Sequence, residues 1–244
     1  MTLFQKIEVP TSGRRIAIGD IHGCLKTLQK LVWEQLRLDT QDQLFFLGDY
    51  IDRGPNGAGV VDFIMDLQAN GYQVYPLRGN HEQMLLKAWE LHQKENNPES
   101  GSFMTAVRDK SMVNPAQDCL IPRFEQWFNA LPHYYESGEF YLVHAGFNFK
   151  RDDPFNHTHS MMWTMFFSEK RYIAEKANYK TIIHGHLKTP LNDIIAAITK
   201  RAKVIPLDNG CYKNEDKALG GLCALDFDNW KLYRQTNVDI AEDD

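Results

Sequence analysis

Three short polar segments decide how this chain folds: Gly19-Asp20-Ile21-His22-Gly23, Gly48-Asp49-Tyr50-Ile51-Asp52-Arg53-Gly54 and Gly79-Asn80-His81-Glu82. Each segment directly follows a run of apolar and β-branched residues, which is typical of a short buried strand. A strand that ends in a Gly-Asp or Gly-Asn turn brings its polar side chain to the carboxyl edge of the sheet, where open α/β sheets bind ligands. The sequence therefore predicts an α/β protein with a polar ligand site at one sheet edge.

Two later strand-like runs end in histidine: Leu142-Val143-His144-Ala145-Gly146 and Thr181-Ile182-Ile183-His184-Gly185-His186. Together with the first three segments they offer Asp, Asn and His side chains at five strand ends. This mixture of hard and borderline ligands suits Mn, Fe or Zn. We therefore expect metal ions at this edge, in the arrangement of a two-metal hydrolase.

Hydrophobic spacing predicts helices between the strands of the first third of the chain. Apolar residues recur three and four positions apart over about residues 25–38 and 57–70, and a third helix is predicted over about 82–95. The first third is therefore a βαβαβα unit. From Tyr134 to residue 235 short strands follow one another, with hairpin turns at 136–139 and 227–230, which predicts a second, mixed sheet packed on the first.

Length and composition limit the classes of protein to consider. A chain of 244 residues can bury a full core, so we expect one catalytic domain over residues 1–244, with the poorly patterned stretch 96–117 as a candidate lid. The net charge of -5 gives no basic footprint for nucleic acid. No apolar run approaches the roughly 20 residues that span a bilayer, and the first residues do not resemble a signal peptide. We expect a cytoplasmic protein with neither a membrane nor a nucleic-acid partner.

The five polar motifs, in this order, resemble those of the metal-dependent phosphoprotein phosphatase family, the calcineurin-like metallophosphoesterases. The resemblance extends from Gly19 to about Tyr233, and the chain length is closer to the bacterial and phage members than to the longer eukaryotic ones. It implies a four-layer α/β/β/α sandwich, in which two mixed sheets are flanked by helices. It also implies two divalent metal ions, with Mn²⁺ expected and Fe or Zn as alternatives.

The resemblance also implies which residues hold the metals. One metal is expected on Asp20 and His22, and Asp49 is expected to bridge to the second. A hydroxide shared by the two ions would attack the phosphate directly. His184 lies two residues before His186 and is an alternative ligand, because both could face the same side of an extended strand. The ligands expected to complete the second site are Asn80, His144 and His186.

Three further residues are expected to handle the substrate. The resemblance makes His81 the general acid that protonates the leaving group, with Asp52 holding its ring, and Arg53 the fork for two phosphate oxygens. One departure from the family pattern concerns a second arginine, which is expected shortly after a tryptophan. Met165 occupies that position, two residues after Trp163. Either Arg171 or Lys170 replaces it, or phosphate is held by Arg53 and the metals alone.

The expected activity is hydrolysis of phosphoserine and phosphothreonine monoesters, and of small aryl phosphates. The expected partner is thus a phosphoprotein or phosphopeptide, while the sequence leaves the oligomeric state open. The alternative is a dinucleoside polyphosphate hydrolase, such as a diadenosine tetraphosphatase, and a third possibility is a non-catalytic scaffold that binds partners through the metal face. Asp52 and Glu82 favour the protein phosphatase, since bacterial diadenosine tetraphosphatases typically lack the first and carry Asp in place of the second.

Overall fold

Two five-stranded sheets form the centre of the computed structural model, which describes residues 3–95, 102–213 and 218–239. A separate two-stranded hairpin lies outside them. The strands are β1 (Phe4–Lys6), β2 (Arg15–Ile18), β3 (Gln43–Phe46), β4 (Gln73–Pro76), β5 (Val113–Asn114), β6 (Cys119–Leu120), β7 (Tyr134–Ser137), β8 (Phe140–Val143), β9 (Thr181–His184), β10 (Val204–Pro206), β11 (Gly221–Asp226) and β12 (Lys231–Thr236). The α-helices are α1 (Leu25–Lys30), α2 (Gly57–Ala69), α3 (Asn80–Glu95), α4 (Phe103–Ala106), α5 (Pro122–Ala130), α6 (Thr158–Trp163) and α7 (Leu191–Thr199).

The first sheet has the strand order β12-β11-β2-β3-β4. Strands β2, β3 and β4 are parallel, with Ile16 opposite Leu44 and Leu44 opposite Val74. They are linked by α1 and α2, and α3 follows β4, so the predicted βαβαβα unit is confirmed. One detail was not predicted: α1 ends early and continues over Leu31–Leu36 as a π-helix, which stops at Arg37 in the left-handed conformation.

The last two strands belong to the first sheet, and their prediction as members of the second sheet was wrong. Strand β11 pairs antiparallel with β2, with Ala224 opposite Ile18, and β12 then forms the sheet edge. Every residue of β11 is buried, as expected for a strand with neighbours on both sides, whereas β12 is partly exposed. An apolar run reveals that a strand is buried but not which sheet it joins.

The second sheet has the order β1-β7-β8-β9-β10. The predicted hairpin at residues 136–139 joins β7 to β8, and the one at 227–230 joins β11 to β12. Strand β1 pairs with β7 at the edge and was not predicted, because its three residues are all exposed and show no apolar alternation. Both sheets contain parallel and antiparallel pairs, so both are mixed as predicted.

The side chains of each inner strand alternate between two apolar layers. Ile16 and Ile18 pack under the helices with residues such as Val60, while Ala17 faces the second sheet and joins residues such as Ile183. A third apolar cluster covers the outer face of the second sheet. This arrangement is the predicted α/β/β/α sandwich, and it places the carboxyl ends of β2, β3, β8 and β9 close together.

The stretch 96–117 was predicted as a lid. Residues 96–101 lie outside the described residues, and in the described remainder Phe103 and Met112 are fully buried in the core under the first sheet. A role of this stretch as a lid stays a prediction. In the parts of the chain that are described, no helix is both long enough and apolar enough to span a membrane.

Candidate metal centre

The loops that carry the predicted ligands are tied together through their backbones. The backbone N–H groups of Ile21 and His22 both donate to the carbonyl oxygen of Asp49, at 3.1 and 2.9 Å. His22, Asp49 and His186 have φ values of 49°, 54° and 70°, in the left-handed region that non-glycine residues rarely adopt. Such strained conformations persist where the surrounding structure fixes them, which is common at functional sites.

The residues predicted for the second metal converge on one point. The Oδ1 atom of Asn80 lies 2.9 Å from Nε2 of His144 and 3.0 Å from Nδ1 of His186, and these two nitrogens are 3.2 Å apart. Nδ1–H of His144 donates to the carbonyl oxygen of Leu47 at 2.8 Å, so Nε2 presents a lone pair to this point. An amide oxygen and two imidazole nitrogens this close together form a donor set that a cation can bind.

Asp49 belongs to two groups of candidate ligands. Its Oδ1 lies 3.5 Å from Nε2 of His144, on the side of the second metal, and its Oδ2 lies 3.7 Å from Nε2 of His22. Nδ1–H of His22 donates to the carbonyl oxygen of Ile51 at 3.0 Å, which leaves Nε2 free to bind a metal. Asp49, His22 and His81 form one possible metal-binding group, and Asp49, His144 and His186 form the other.

Asp20, which was predicted to hold the first metal, contacts the backbone of His186 but belongs to neither of the two groups. Its carboxylate accepts the backbone N–H of His186, at 2.9 and 3.1 Å, so it connects the ends of β2 and β9. Burial and the charge of nearby Asp208 raise the pKa of Asp20 well above its usual range. Burial also raises the pKa of Asp208 to about 6 and lowers the pKa of His22 to about 4. Positive charge from a bound cation would therefore stabilise the ionised form of these crowded, buried carboxylates.

The residues present fit two divalent metal ions. Carboxylate, amide and imidazole donors are gathered at one sheet edge, and the buried imidazoles present unprotonated nitrogens. The pKa of His144 is lowered by burial, and burial together with the neighbouring His144 lowers the pKa of His186 to about 3. Neutral imidazole is the form that binds metals.

His81 and Asp52 form a buried pair beside the first group. Nδ1 of His81 is hydrogen-bonded to Oδ2 of Asp52, and the backbone N–H of His81 donates to Oδ1 of Asp49 at 3.0 Å. Burial lowers the pKa of His81, but the hydrogen bond to Asp52 and the charge of Asp49 outweigh it, so the pKa is raised. Nε2 lies 3.9 Å from Oδ2 of Asp49 and so faces the metal side.

Arg53 is held at the mouth of the site by Tyr212. Nη1 of Arg53 donates to the hydroxyl of Tyr212, and the guanidinium carbon lies 4.6 Å from the centre of the Tyr212 ring. The same ring meets the edge of His22, with the ring centres 5.2 Å apart. Tyr212 is not among the residues predicted for the site, because its approach to Arg53 depends on the arrangement of distant strands.

Glu82 has a structural role that the sequence did not indicate. Its buried carboxylate accepts the backbone N–H groups of Asp49, Tyr50 and Gly79, at 3.0, 2.8 and 2.9 Å. Gly79 is needed here because a methyl group at that position would overlap the carboxylate of Asp49. Glu82 therefore fixes the turn that presents Asp49 against the start of α3.

Like Asp20, the further candidates Arg171 and His184 lie outside both ligand groups. Nη1 of Arg171 donates to the backbone carbonyl of Met165 at 2.7 Å, so its recorded hydrogen bond orders a loop. His184, the alternative ligand, is buried with its ring 5.4 Å from that of Phe167, and its Nδ1 lies 3.0 Å from the carbonyl oxygen of Gly185. His186 is the histidine of β9 and its following loop that joins the ligand group.

Comparison with known proteins relates this geometry to a family. Residues 13–233 match the family model of the calcineurin-like phosphoesterases. Serine/threonine-protein phosphatase 1 of Salmonella typhimurium is 37% identical over 86 residues, which are 35% of this chain and 38% of that protein. The symmetrical bis(5'-nucleosyl)-tetraphosphatase of Thioalkalivibrio sulfidiphilus is 34% identical over 135 residues, which are 53% of this chain and 44% of that protein.

The matched segments cover less than half the length of these curated relatives. Further relatives that match over 53% to 58% of this chain are also symmetrical bis(5'-nucleosyl)-tetraphosphatases. A solved structure of a protein serine/threonine phosphatase from Saccharomyces cerevisiae superposes with a TM-score of 0.62 and 15% identity, over 100% of this chain and 85% of that one. This likeness supports the fold alone.

Proposed function

The chain belongs to the calcineurin-like phosphoesterase family and is a metal-dependent hydrolase, and we propose that it cleaves dinucleoside polyphosphates of the symmetrical tetraphosphate type. One geometric observation carries the two-metal part of this proposal: the two carboxylate oxygens of Asp49 face two separate groups of candidate ligands. The choice of substrate is supported by the relatives with longer matches, which are tetraphosphatases rather than protein phosphatases.

This choice reverses the preference drawn from the sequence, which rested on Asp52 and Glu82. The geometry explains why those two residues discriminate poorly. The carboxylate of Glu82 is buried and accepts hydrogen bonds from three backbone N–H groups. Asp52 binds the ring of His81, and a proton delivered from that ring can serve a nucleotide or an alcohol as leaving group.

Each protein group has a defined task in the proposed reaction. Asp49 with Asp20 and His22 would hold one divalent cation, and Asp49 with the second group would hold another. Such cations would supply the positive charge that polarises a phosphoryl group and lowers the pKa of water. Arg53, held by Tyr212, presents its fork to two phosphoryl oxygens. The second group consists of Asn80, His144 and His186.

His81 completes the proposal as a proton donor. Its raised pKa keeps the ring protonated over a wider pH range, and Asp52 holds the ring by Nδ1 so that Nε2–H is directed to the metal side. The proton would go to the oxygen of the departing group as its bond to phosphorus breaks. Asp52 orients the imidazolium and stabilises its charge without touching the substrate.

A second candidate is the phosphomonoesterase activity on phosphoserine and phosphothreonine. The buried His81–Asp52 pair favours it, because a serine alkoxide is a poor leaving group that requires a proton in the transition state. The 37% identity to the Salmonella typhimurium protein phosphatase also supports this candidate. A third candidate is a non-catalytic scaffold. In that case the His81–Asp52 pair and the two ligand groups would be assembled without a role in catalysis.

A substrate panel tests these candidates. Purified protein with Mn²⁺ is supplied with diadenosine tetraphosphate, a phosphoserine peptide and p-nitrophenyl phosphate, and kcat/KM is measured for each, with bound Mn, Fe and Zn determined in parallel. We expect diadenosine tetraphosphate to have the highest kcat/KM and to yield two molecules of ADP. A higher value for the phosphoserine peptide would favour the second candidate, and no turnover of any substrate would favour the scaffold.

A further inference from the structure

A cavity of about 480 Å³ opens beside the loop that follows β8. Its walls come from the segment directly after His144-Ala145-Gly146, which contributes Phe147 and Lys150, and from the segment 164–173 after α6. This volume is in the range of pockets that hold small molecules. The cavity shares no lining residue with the two ligand groups, so it is a separate feature of the molecule.

Apolar side chains are exposed along one wall of this cavity. Phe166 is 70% exposed and Met165 is 49% exposed. Phe166 also has a φ of 58°, a left-handed conformation that is uncommon for a bulky side chain. A strained backbone that exposes an aromatic ring to a cavity suggests a ligand that uses the flat face of the ring.

The charged groups of the cavity are all cationic. Lys150, Lys170 and Arg171 line it, and none of the lining residues is an aspartate or a glutamate, although the whole chain carries a net charge of -5. Within residues 3–95, 102–213 and 218–239, the structure shows no ion pair for these three cations. Arg171 also holds the loop through its hydrogen bond to the carbonyl of Met165.

The segment that forms one cavity wall also packs onto the loops of the candidate metal centre through Phe167, the neighbour of the lining residue Phe166. The ring of Phe167 lies against Gly146, where a side chain would overlap it, and its centre is 5.4 Å from the centre of the His184 ring. The backbone N–H of Ala145 also donates to the carbonyl of Met161 in α6, at 2.7 Å. The exposed aromatic ring and the ligand His144 are therefore carried by segments in mutual contact.

We propose that this cavity binds the nucleoside end of a nucleotide, with the base stacked on Phe166 and the phosphates beside Lys150, Lys170 and Arg171. A planar apolar ring joined to an anionic chain matches an exposed aromatic wall among unpaired cations. An acidic peptide would satisfy the cations but would leave Phe166 without a flat partner. This inference rests on the proposed function, because it places one end of a dinucleotide beside the metal centre.

The first test compares the affinities of ADP and pyrophosphate, which differ by the nucleoside. Dissociation constants of ADP and pyrophosphate are measured by calorimetry on the Mn²⁺-loaded protein. The ratio of the two constants is then compared between variants. Free Mn²⁺ binds each ligand equally in every variant, so this effect cancels in the comparison. Base stacking contributes about a tenfold preference for ADP. Phe166→Ala should reduce the ADP preference to about twofold or less, and Phe166→Tyr should retain it.

Tyr179→Ala is the matched control for Phe166→Ala. Tyr179 is also an exposed aromatic residue, at 61%, with a positive φ of 60°, but it does not line the cavity. The wild-type ADP preference should therefore persist in Tyr179→Ala. An unchanged preference in Phe166→Ala, or an equal loss in Tyr179→Ala, would overturn the inference.

A second pair of variants tests the cationic part of the cavity. Lys170→Glu should weaken ADP binding about five- to tenfold, whereas Lys200→Glu, the same charge change at an exposed position outside the cavity, should change it less than about twofold. Equal weakening by both variants would show that only the net charge of the protein matters. That result would overturn the assignment of the phosphates to this cavity.

Turnover separates the failure of this inference from that of the proposed function. If the ADP preference depends on Phe166 but diadenosine tetraphosphate is not hydrolysed, the cavity is a nucleotide site and the proposed substrate is wrong. If diadenosine tetraphosphate is hydrolysed but Phe166→Ala leaves both its KM and the ADP preference unchanged, the cavity assignment is wrong. An effect of Phe166→Ala on the KM of a phosphoserine peptide alone would assign the cavity to a peptide and overturn the inference.

Discussion

The two flanks of the metal centre are built differently. On the acid flank, His81, Asp52 and Glu82 are buried and joined by hydrogen bonds to each other's loops. On the cavity flank, Met165 and Phe166 are exposed, and the turn that carries them receives a hydrogen bond from the side chain of Arg171. The difference shows that the side chains of the acid flank are fixed by buried hydrogen bonds, while the exposed side chains of the cavity flank can be exchanged with little effect on the fold.

The largest effect is expected at Asp49, because both candidate ligand groups share it. Asp49→Asn should lower kcat for p-nitrophenyl phosphate by about 10⁴-fold, because metal charge stabilises the transition state by several kcal/mol and each 1.4 kcal/mol is a factor of ten. Asparagine tolerates the left-handed backbone of Asp49, so the melting temperature without metal should change little. Kinetics, metal content and melting temperature are measured together, and near-normal turnover would contradict the shared role of Asp49.

The acid flank is tested by His81→Asn. We expect kcat for a phosphoserine peptide to fall by about 10²- to 10⁴-fold, the usual range for a general acid, and to fall much less for p-nitrophenyl phosphate, whose leaving group needs little protonation. In the wild type, peptide turnover should decline at alkaline pH as His81 loses its proton, and the raised pKa of His81 places this decline at a higher pH than for an ordinary histidine. His81→Asn should lack this decline. Equal losses on both substrates, together with loss of bound metal, would indicate that His81 is a ligand instead.

Replacement of Arg53 should lower activity less than replacement of Asp49 or His81, because Arg53 lies at the exposed mouth of the site. Arg53→Ala should lower kcat/KM for p-nitrophenyl phosphate by about 10- to 100-fold, which corresponds to one or two charge-assisted hydrogen bonds. Tyr212→Phe removes the hydroxyl that holds the guanidinium and should cause a loss of only a few fold. A larger loss in Tyr212→Phe than in Arg53→Ala would show that the tyrosine itself contacts the substrate.

The smallest effect is expected when a cation is added to the cavity flank. Met165→Arg should raise kcat/KM for p-nitrophenyl phosphate about two- to fivefold, since an exposed charge pair contributes only about 0.2–1 kcal/mol. Ile173→Arg, at another exposed apolar position of the same cavity, is the matched control and should give no gain. Equal gains in both variants would show a general charge effect rather than a replacement of the second phosphate-binding arginine.

The sequence predicted the polar groups at strand ends because their placement follows from local rules. A short apolar run before Gly-Asp or Gly-Asn predicts where Asp49 and Asn80 emerge, and parallel strands bring such ends to one edge. The partners of these groups could not be predicted in the same way. Asp208 and Tyr212 lie between β10 of the second sheet and β11 of the first. Their approach to Asp20 and Arg53 therefore depends on how the two sheets are arranged, which a hydrophobic pattern does not specify. The cavity around Phe166 depends equally on loop conformation.

The three hydrogen bonds accepted by Glu82 have a consequence for how the protein folds and unfolds. They join the loop after β3 to the start of α3, so the ligands acquire their positions only after these distant segments have docked. Metal ions should therefore bind the native state and not the unfolded chain, which stabilises the protein by about 2.7 kcal/mol at a metal concentration 100 times the dissociation constant. If the site is absent from the folding transition state, added Mn²⁺ will slow unfolding while leaving the refolding rate nearly constant.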